Sequence, residues 1–228
     1  MGTPLRLFGG ISSACILEDI PPYRVGCQVP RMIEGRPGVR ADAEARRDRL
    51  VEAGRILFAD RGYDVPLEAV AEAAGVGIAT LYRNFPTRLD LKLAILADGL
   101  HRSRRTLDEL LVQVDEDPDG AMTRLTQMFV SLQLGALIPI IVRDQDLIPS
   151  ELIDARKGNL ASVGEILERA KSHGVVRESV TARDFFAGVA LITRPLPALI
   201  ADPMMDGTIT ASELTVRVLA IFVAGLRP

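Results

Sequence analysis

Two short amphipathic segments joined by a glycine constrain the fold of this chain more than any other feature. In the first segment the apolar residues recur three and four positions apart, as on one face of a helix: Leu67, Val70, Ala71 and Ala74. Gly75 follows, where a chain leaving a helix often needs a positive φ. The second segment, with Ile78, Leu81, Tyr82 and Phe85, ends before Pro86, which has no backbone N–H. The pattern predicts two helices that meet at a tight turn.

This arrangement is typical of a helix-turn-helix, whose second helix enters the major groove of DNA. The polar side of the second segment carries Thr80, Arg83 and Asn84, side chains that can reach phosphates and base edges. A helical hairpin in any all-α protein shows the same spacing. The spacing alone therefore leaves both DNA binding and ordinary core packing open.

Residues 46–100 resemble the DNA-binding domain of the tetracycline-repressor (TetR) family. The matching stretches are LFADRGYD at the end of a first helix, AVAEAAGV across the turn, ATLYRNFPTR, and the leucine-rich helix that follows. The resemblance implies an all-α protein with an N-terminal three-helix helix-turn-helix domain at residues 41–102. A C-terminal helical ligand-binding and dimerisation domain is expected at residues 103–228.

The resemblance also implies which residues contact DNA. Thr80 and Tyr82 match positions that bind phosphates, and Arg83 is the best candidate for reading guanine. The full set of expected contacts is Gly77, Ile78, Ala79, Thr80, Tyr82, Arg83, Asn84 and Arg88. Pro66 is expected at the first position of the second helix, where its missing donor costs nothing. Thr87 and Asp90 are expected to cap the fourth helix.

The C-terminal half shows helical patterns at residues 104–114, 121–142, 150–173, 181–201 and 210–226. Apolar residues and one cation are the candidates for binding a ligand: Met128, Phe129, Leu132 and Arg194. The last two helices match the family's dimer interface, with these candidate residues: Phe185, Phe186, Val189, Leu214, Val218 and Phe222. An ordinary helical core needs the same apolar residues, so both interpretations stay open for each of them.

Residues 1–40 have no helical period and several prolines and glycines, so we expect a disordered or loosely packed extension there. It is either an arm that reaches along DNA or an upstream extension absent from the native protein, with Met32 as the alternative start. The two cysteines, Cys15 and Cys27, lie in it and match no metal-binding spacing. Two free thiols in a reducing cytosol are therefore expected.

Charge is distributed unevenly along the chain. Its net charge is −3, but residues 31–105 hold 14 Lys and Arg against 11 Asp and Glu, whereas residues 106–228 hold 11 against 17. A basic part beside an acidic part suits DNA binding by the first and another role for the second. The sequence shows no phosphate-binding loop, metal-ligand cluster, nucleophile elbow or membrane span, so neither an enzyme nor a cofactor or metal is expected.

Together these features favour a cytoplasmic, homodimeric transcriptional regulator. The resemblance implies a repressor that binds a palindromic double-stranded DNA operator and is released by a small molecule of unknown identity. An activator, or a regulator without a ligand, would show the same sequence. The alternative is a helical ligand-binding or adaptor protein that has lost DNA binding. Gly77, Pro66 and the acidic total charge keep that alternative open.

Overall fold

Eight α-helices and one short 3-10 helix make up the regular structure of the described residues, and no strand occurs among them. The computed structural model describes residues 39–62, 65–132, 145–194 and 211–228, which belong to one compact unit. The helices are α1 Val39–Arg61, α2 Leu67–Ala73, α3 Ile78–Asn84, α4 Arg88–Gln113, α5 Pro118–Ser131, α6 Ser150–Ser172, α7 Ala182–Ile192 and α8 Ala211–Gly225, with the 3-10 helix at Gln145–Leu147. The predicted all-α fold class is confirmed.

A first hydrophobic core joins α1, α2, α3 and the N-terminal half of α4. Its buried residues are Leu50, Val51, Ala53, Phe58, Val65, Leu67, Val70, Ala71, Ala74, Leu81, Phe85, Leu91 and Ile95. The predicted inner stripe of α2 is therefore confirmed. Burying these apolar side chains gives the short helices α2 and α3 a stability that seven residues cannot supply alone.

Most of the turns and helix caps predicted from the sequence are present in the structure. Gly62 and Gly75 have φ values of 81° and 65°, so each occupies a conformation that side-chain-bearing residues rarely adopt. Thr87 and Asp90 form the predicted capping box at the start of α4. The prediction for Pro66 was wrong by one position, since it precedes α2 as the N-cap residue and contributes no side-chain cap.

Helix α4 crosses the predicted domain boundary between residues 102 and 103. It continues without a break to Gln113 and so includes most of the helical pattern predicted at residues 104–114. Its C-terminal half enters a second core with α5, α6, α7 and α8. The buried residues of that core are Leu107, Leu110, Val114, Ala121, Met122, Leu125, Met128, Phe129, Leu132, Val163, Ile166, Leu167, Ala170, Val176, Val180, Phe185, Val189, Ala190, Leu219 and Leu226.

The start of α5 was also predicted wrongly. The helix begins at Pro118 rather than at residue 121, because Asp117 accepts a hydrogen bond from Gly120 N at 2.9 Å and so caps it. The predicted extension of this helix to residue 142 lies outside the described residues. So do the predicted helical residues 195–201, the cysteines and the N-terminal extension before residue 39.

Helices α7 and α8 approach each other closely at Gly188. A Cβ atom placed on this residue would lie 2.4 Å from the Phe222 ring, so any larger residue would displace the ring. Phe222 also lies 6.1 Å from Phe185, centroid to centroid. In the described part of the chain, no helix is both long and apolar enough to cross a membrane.

Candidate nucleic-acid interface and internal cavity

Two buried anchors set the orientation of α3. Leu81 and Phe85 are 0% and 1% exposed, and both lie in the first core. Since they are four positions apart, they fix one face of the helix inward and leave the opposite face outward. The outward residues are Gly77, Ile78, Ala79, Tyr82 and Arg83, with Thr80 and Asn84 half-buried beside them.

The polar side chains on the outward face of α3 have only some of their hydrogen-bonding groups paired within the protein. Arg83 donates from Nε to Ala79 O at 3.2 Å, a contact within its own helix that leaves its terminal amino groups available. Asn84 donates from Nδ2 to Thr80 O at 2.8 Å. An exposed guanidinium beside a tyrosine that is 46% exposed can offer donors to phosphates and to guanine edges.

Arg88 is also engaged within the protein. Its Nη1 donates to Val65 O at 2.6 Å, which ties the start of α4 to the residue pair that precedes α2. The side chain is half-buried, so the structure assigns it a positioning contact. Its predicted contact with DNA remains a prediction.

On α1, Arg47 lies over the ring of Phe85, with its guanidinium carbon 4.9 Å from the ring centroid. This contact brings the N-terminal part of α1 beside the end of α3. Among the described residues, no ion pair forms between Arg46, Arg47 or Arg49 and the acidic residues near them on α1. Arg46, Arg47 and Arg49 thus form no ion pair within their own helix.

A buried arginine connects α1 to the second half of the molecule. Arg55 is 8% exposed and donates from Nη1 to Ser131 O, at the end of α5, at 2.9 Å. It also makes two hydrogen bonds to Glu52, of 2.6 and 2.9 Å. On α4, Arg102 forms ion pairs with Glu52 at 3.3 Å and with Asp98 Oδ2 at 2.9 Å. The contact with Asp98 Oδ2 does not have the geometry of a hydrogen bond. Arg55 therefore joins α1 to α5, and its partner Glu52 joins α1 to α4.

An internal cavity lies next to this connection. The cavity has a volume of about 50 Å³. When its opening to solvent is included, the space free of atoms is about 520 Å³. It is lined by Leu96, Gly99, Leu100, Ser103, Leu107, Met128, Phe129, Leu132, Arg156, Asn159, Leu160, Val163 and Phe186. Because Met128 and Leu132 flank Ser131, the cavity wall and the carbonyl that Arg55 binds belong to the same helical turn.

Three of the four residues predicted to bind a ligand lie in this wall. Met128, Phe129 and Leu132 are brought together there, whereas Arg194 is exposed and is not part of the wall. No residue of α6 was predicted at this site. The signal was present, since Arg156, Asn159, Leu160 and Val163 are spaced as one face of a helix and place polar groups on an otherwise apolar face.

The predicted dimer residues divide into two groups. Phe185 and Val189 are both 0% exposed within the chain and lie in the second core, and their role in a dimer interface remains a prediction. Phe186, Leu214 and Phe222 are partly buried, and Phe186 lines the cavity. The exposed apolar side chains on α7 and α8 are Leu191, Val218 and Ile221, at 68%, 39% and 72%.

Residues 50–95 match the family model described as bacterial regulatory proteins, tetR family. The matched range includes all of α2 and α3 and the residues of the first core. The fold as a whole also matches a TetR transcriptional regulator, SCO0520 of Streptomyces coelicolor. The two are 26% identical, with a TM-score of 0.55, over 80% of this chain and 98% of that one. Residues 50–95 thus match the tetR family, and the fold is similar to that of a TetR regulator.

Two curated transcriptional regulators are also similar to part of the chain. The transcriptional repressor KstR of Mycobacterium tuberculosis is 37% identical over 85 residues, 37% of this chain and 38% of that protein. The transcriptional activator FasR of Mycolicibacterium smegmatis is 39% identical over 62 residues, 27% of this chain and 28% of that protein. The chain thus matches these curated relatives over well under half of their length.

Proposed function

We propose that this protein is a DNA-binding transcriptional regulator of the TetR family that acts in the cytoplasm. The observation that carries the proposal is the exposed face of α3, which Leu81 and Phe85 orient outward and which carries Tyr82 and Arg83. The family match and the names of KstR and FasR support it. Between a repressor and an activator we propose a repressor, as in KstR, whose match is the longer one.

Replacing Arg83 with alanine tests this function. We expect the variant to lose roughly 5- to 150-fold in preference for its operator over random DNA, because one bidentate base contact discriminates by about 1–3 kcal/mol. The measurement is fluorescence anisotropy with operator fragments selected from genomic DNA, repeated over a salt series. Lys157→Ala is the matched control, since it removes an exposed cation from α6.

Two results would oppose the proposal. Equal preference in the Arg83→Ala variant would show that Arg83 does not read a base. A wild-type protein that selects no genomic fragment would favour the alternative, a helical ligand-binding or adaptor protein without DNA binding.

We further propose that the protein works as a homodimer that binds a palindromic operator. Leu191 and Ile221 expose large apolar side chains on α7 and α8, and such exposed groups favour association. A two-fold dimer places two recognition helices about 34 Å apart, one turn of DNA. Each α3 then reads one half-site.

Replacing Ile221 with arginine is expected to convert the dimer into a monomer, because a charge would lose its hydration in the apolar interface. Sedimentation velocity measures the outcome. Val112→Arg is the control, since Val112 is also an exposed apolar residue, 76% exposed, but lies on α4. If the Ile221→Arg variant remained a dimer, this face of α8 would not be the interface.

For regulation, we propose that a small molecule binds the cavity and shifts the population toward a dimer whose recognition helices no longer fit the operator. The location of the cavity supports this mechanism. Its wall includes residues of α4, a helix that contributes to both cores. It also includes residues of α5, and the Ser131 carbonyl at the end of that helix accepts a hydrogen bond from Arg55. A ligand that moves either helix therefore acts on the DNA-binding half directly.

A further inference from the structure

The cavity described above borders one positive charge that the protein does not use. Arg156 lines the cavity and is half-buried. The wall it contributes is apolar, so its aliphatic stem faces the cavity and its guanidinium lies at the edge. Among the described residues, no carboxylate forms an ion pair with it, and no hydrogen bond to it is present.

Its own helix explains why Arg156 has no partner. The residues three and four positions away on α6 are Leu152, Ile153, Asn159 and Leu160, none of which is acidic. Nearby cations differ in this respect, since Lys157 pairs with Asp154 at 3.1 Å and Arg104 pairs with Asp108. These two neighbouring cations thus have a counter-ion on their own helix, whereas Arg156 has none among the described residues.

The neutral polar groups of the cavity are already satisfied. Asn159 donates from Nδ2 to Leu100 O at 2.9 Å and to Ser103 Oγ at 2.8 Å. Ser103 Oγ in turn lies 2.9 Å from Gly99 O, to which it donates. Since these groups bind one another, they offer little to a ligand. A guanidinium at the edge of an apolar cavity is stabilised when an anion joins it there.

We propose that the cavity binds an amphipathic carboxylate, with an apolar chain against the cavity wall and the carboxylate on the guanidinium of Arg156. This rests on the proposed function, in which the same cavity is the effector site. The small volume of about 50 Å³ and the apolar wall favour a slender, unbranched alkyl chain over a bulky ring system.

The test compares decanoate with decanol, which share a chain and differ in charge, by isothermal titration calorimetry on the full chain. We expect decanoate to bind the wild type more tightly than decanol does. Arg156→Gln should weaken decanoate binding about ten-fold or more, as expected when a charged hydrogen bond is lost. It should leave decanol binding unchanged. Arg156→Lys should restore part of the affinity, and Lys157→Gln, which removes the adjacent charge, should have no effect.

Two outcomes would overturn the proposal: equal binding of decanoate and decanol with no effect of Arg156→Gln, or binding of neither compound. Circular dichroism of each variant, and retained decanol binding, confirm that the variant is folded. Operator binding measured in the same samples separates this inference from the proposed function. If decanoate binding depended on Arg156 but the protein bound no DNA selectively, the ligand proposal would be supported and the regulator proposal overturned. If the protein bound its operator but decanoate binding did not depend on Arg156, the regulator proposal would be supported and the ligand proposal overturned.

Discussion

The Phe85→Ala variant is expected to lose about 3–5 kcal/mol of unfolding free energy, the range measured when a large aromatic side chain is removed from a packed core. Phe85 is 1% exposed and lies among the residues of the first core. Its ring also holds Arg47 at 4.9 Å. Because the ring anchors the end of α3, the variant should lose operator binding together with stability. Urea denaturation followed by circular dichroism measures the stability.

Tyr82→Ala is the matched control for Phe85→Ala. Tyr82 is an aromatic residue of the same helix but is 46% exposed, so its removal should cost under about 1 kcal/mol of stability. It should nevertheless weaken DNA binding, if its hydroxyl contacts a phosphate as predicted. A Phe85→Ala variant as stable as the wild type would mean that α3 is not held by this anchor.

The Arg55→Met variant is expected to lose about 2–3 kcal/mol of unfolding free energy. The change removes the hydrogen bond to Ser131 O and two bonds to Glu52, and it leaves the Ser131 carbonyl without this donor. The loss is smaller than for a fully buried pair, because the Glu52 side chain is 41% exposed and water can replace part of the interaction. Chemical denaturation at neutral pH measures it.

The pH dependence of stability identifies the cause of that loss. The hydrogen bond from Arg55 lowers the pKa of Glu52 below its ordinary value, with smaller contributions from the charges of Arg55 and Arg102. A carboxyl with a lowered folded pKa stabilises the protein above its unfolded pKa, and this contribution disappears as pH falls through the folded pKa. The wild type should therefore lose stability in acid more steeply than Arg55→Met.

Arg61→Met provides the control for Arg55→Met, since Arg61 pairs with Asp60 while both side chains are at least 64% exposed. We expect little change in stability from this variant. If Arg55→Met were equally neutral, the connection between α1 and the end of α5 would contribute nothing to folding.

Local sequence patterns predicted α3 and its surroundings well. Leu81 and Phe85 are apolar, Gly75 turns the chain and Thr87 caps α4, and each of these signals acts within a few residues. Such local signals could not predict the role of Arg55. It lies on the buried stripe of α1 between Val51 and Phe58, but its acceptor is a carbonyl 76 residues away.

The packing partner of α7 could not be predicted from the sequence for a different reason. Helical periodicity places Phe185 and Val189 on one face and Leu191 on the opposite side, near Arg183 and Asp184. An apolar face of this kind can pack within the chain or against a second copy, and the contacts of Phe185 with Phe129 and Phe222 show that it packs within the chain. Likewise, Arg156 became a candidate only when the structure showed which helix faces surround the cavity.

The continuity of α4 has a consequence for how this protein unfolds. Leu91 and Ile95 belong to the first core, and Leu107 and Leu110 to the second, on one uninterrupted helix. Neither core can lose its part of α4 without disturbing a helix that the other requires. We therefore expect the two halves to melt in one cooperative event, and the amide hydrogens in the middle of α4 to exchange with solvent only when the whole unit opens.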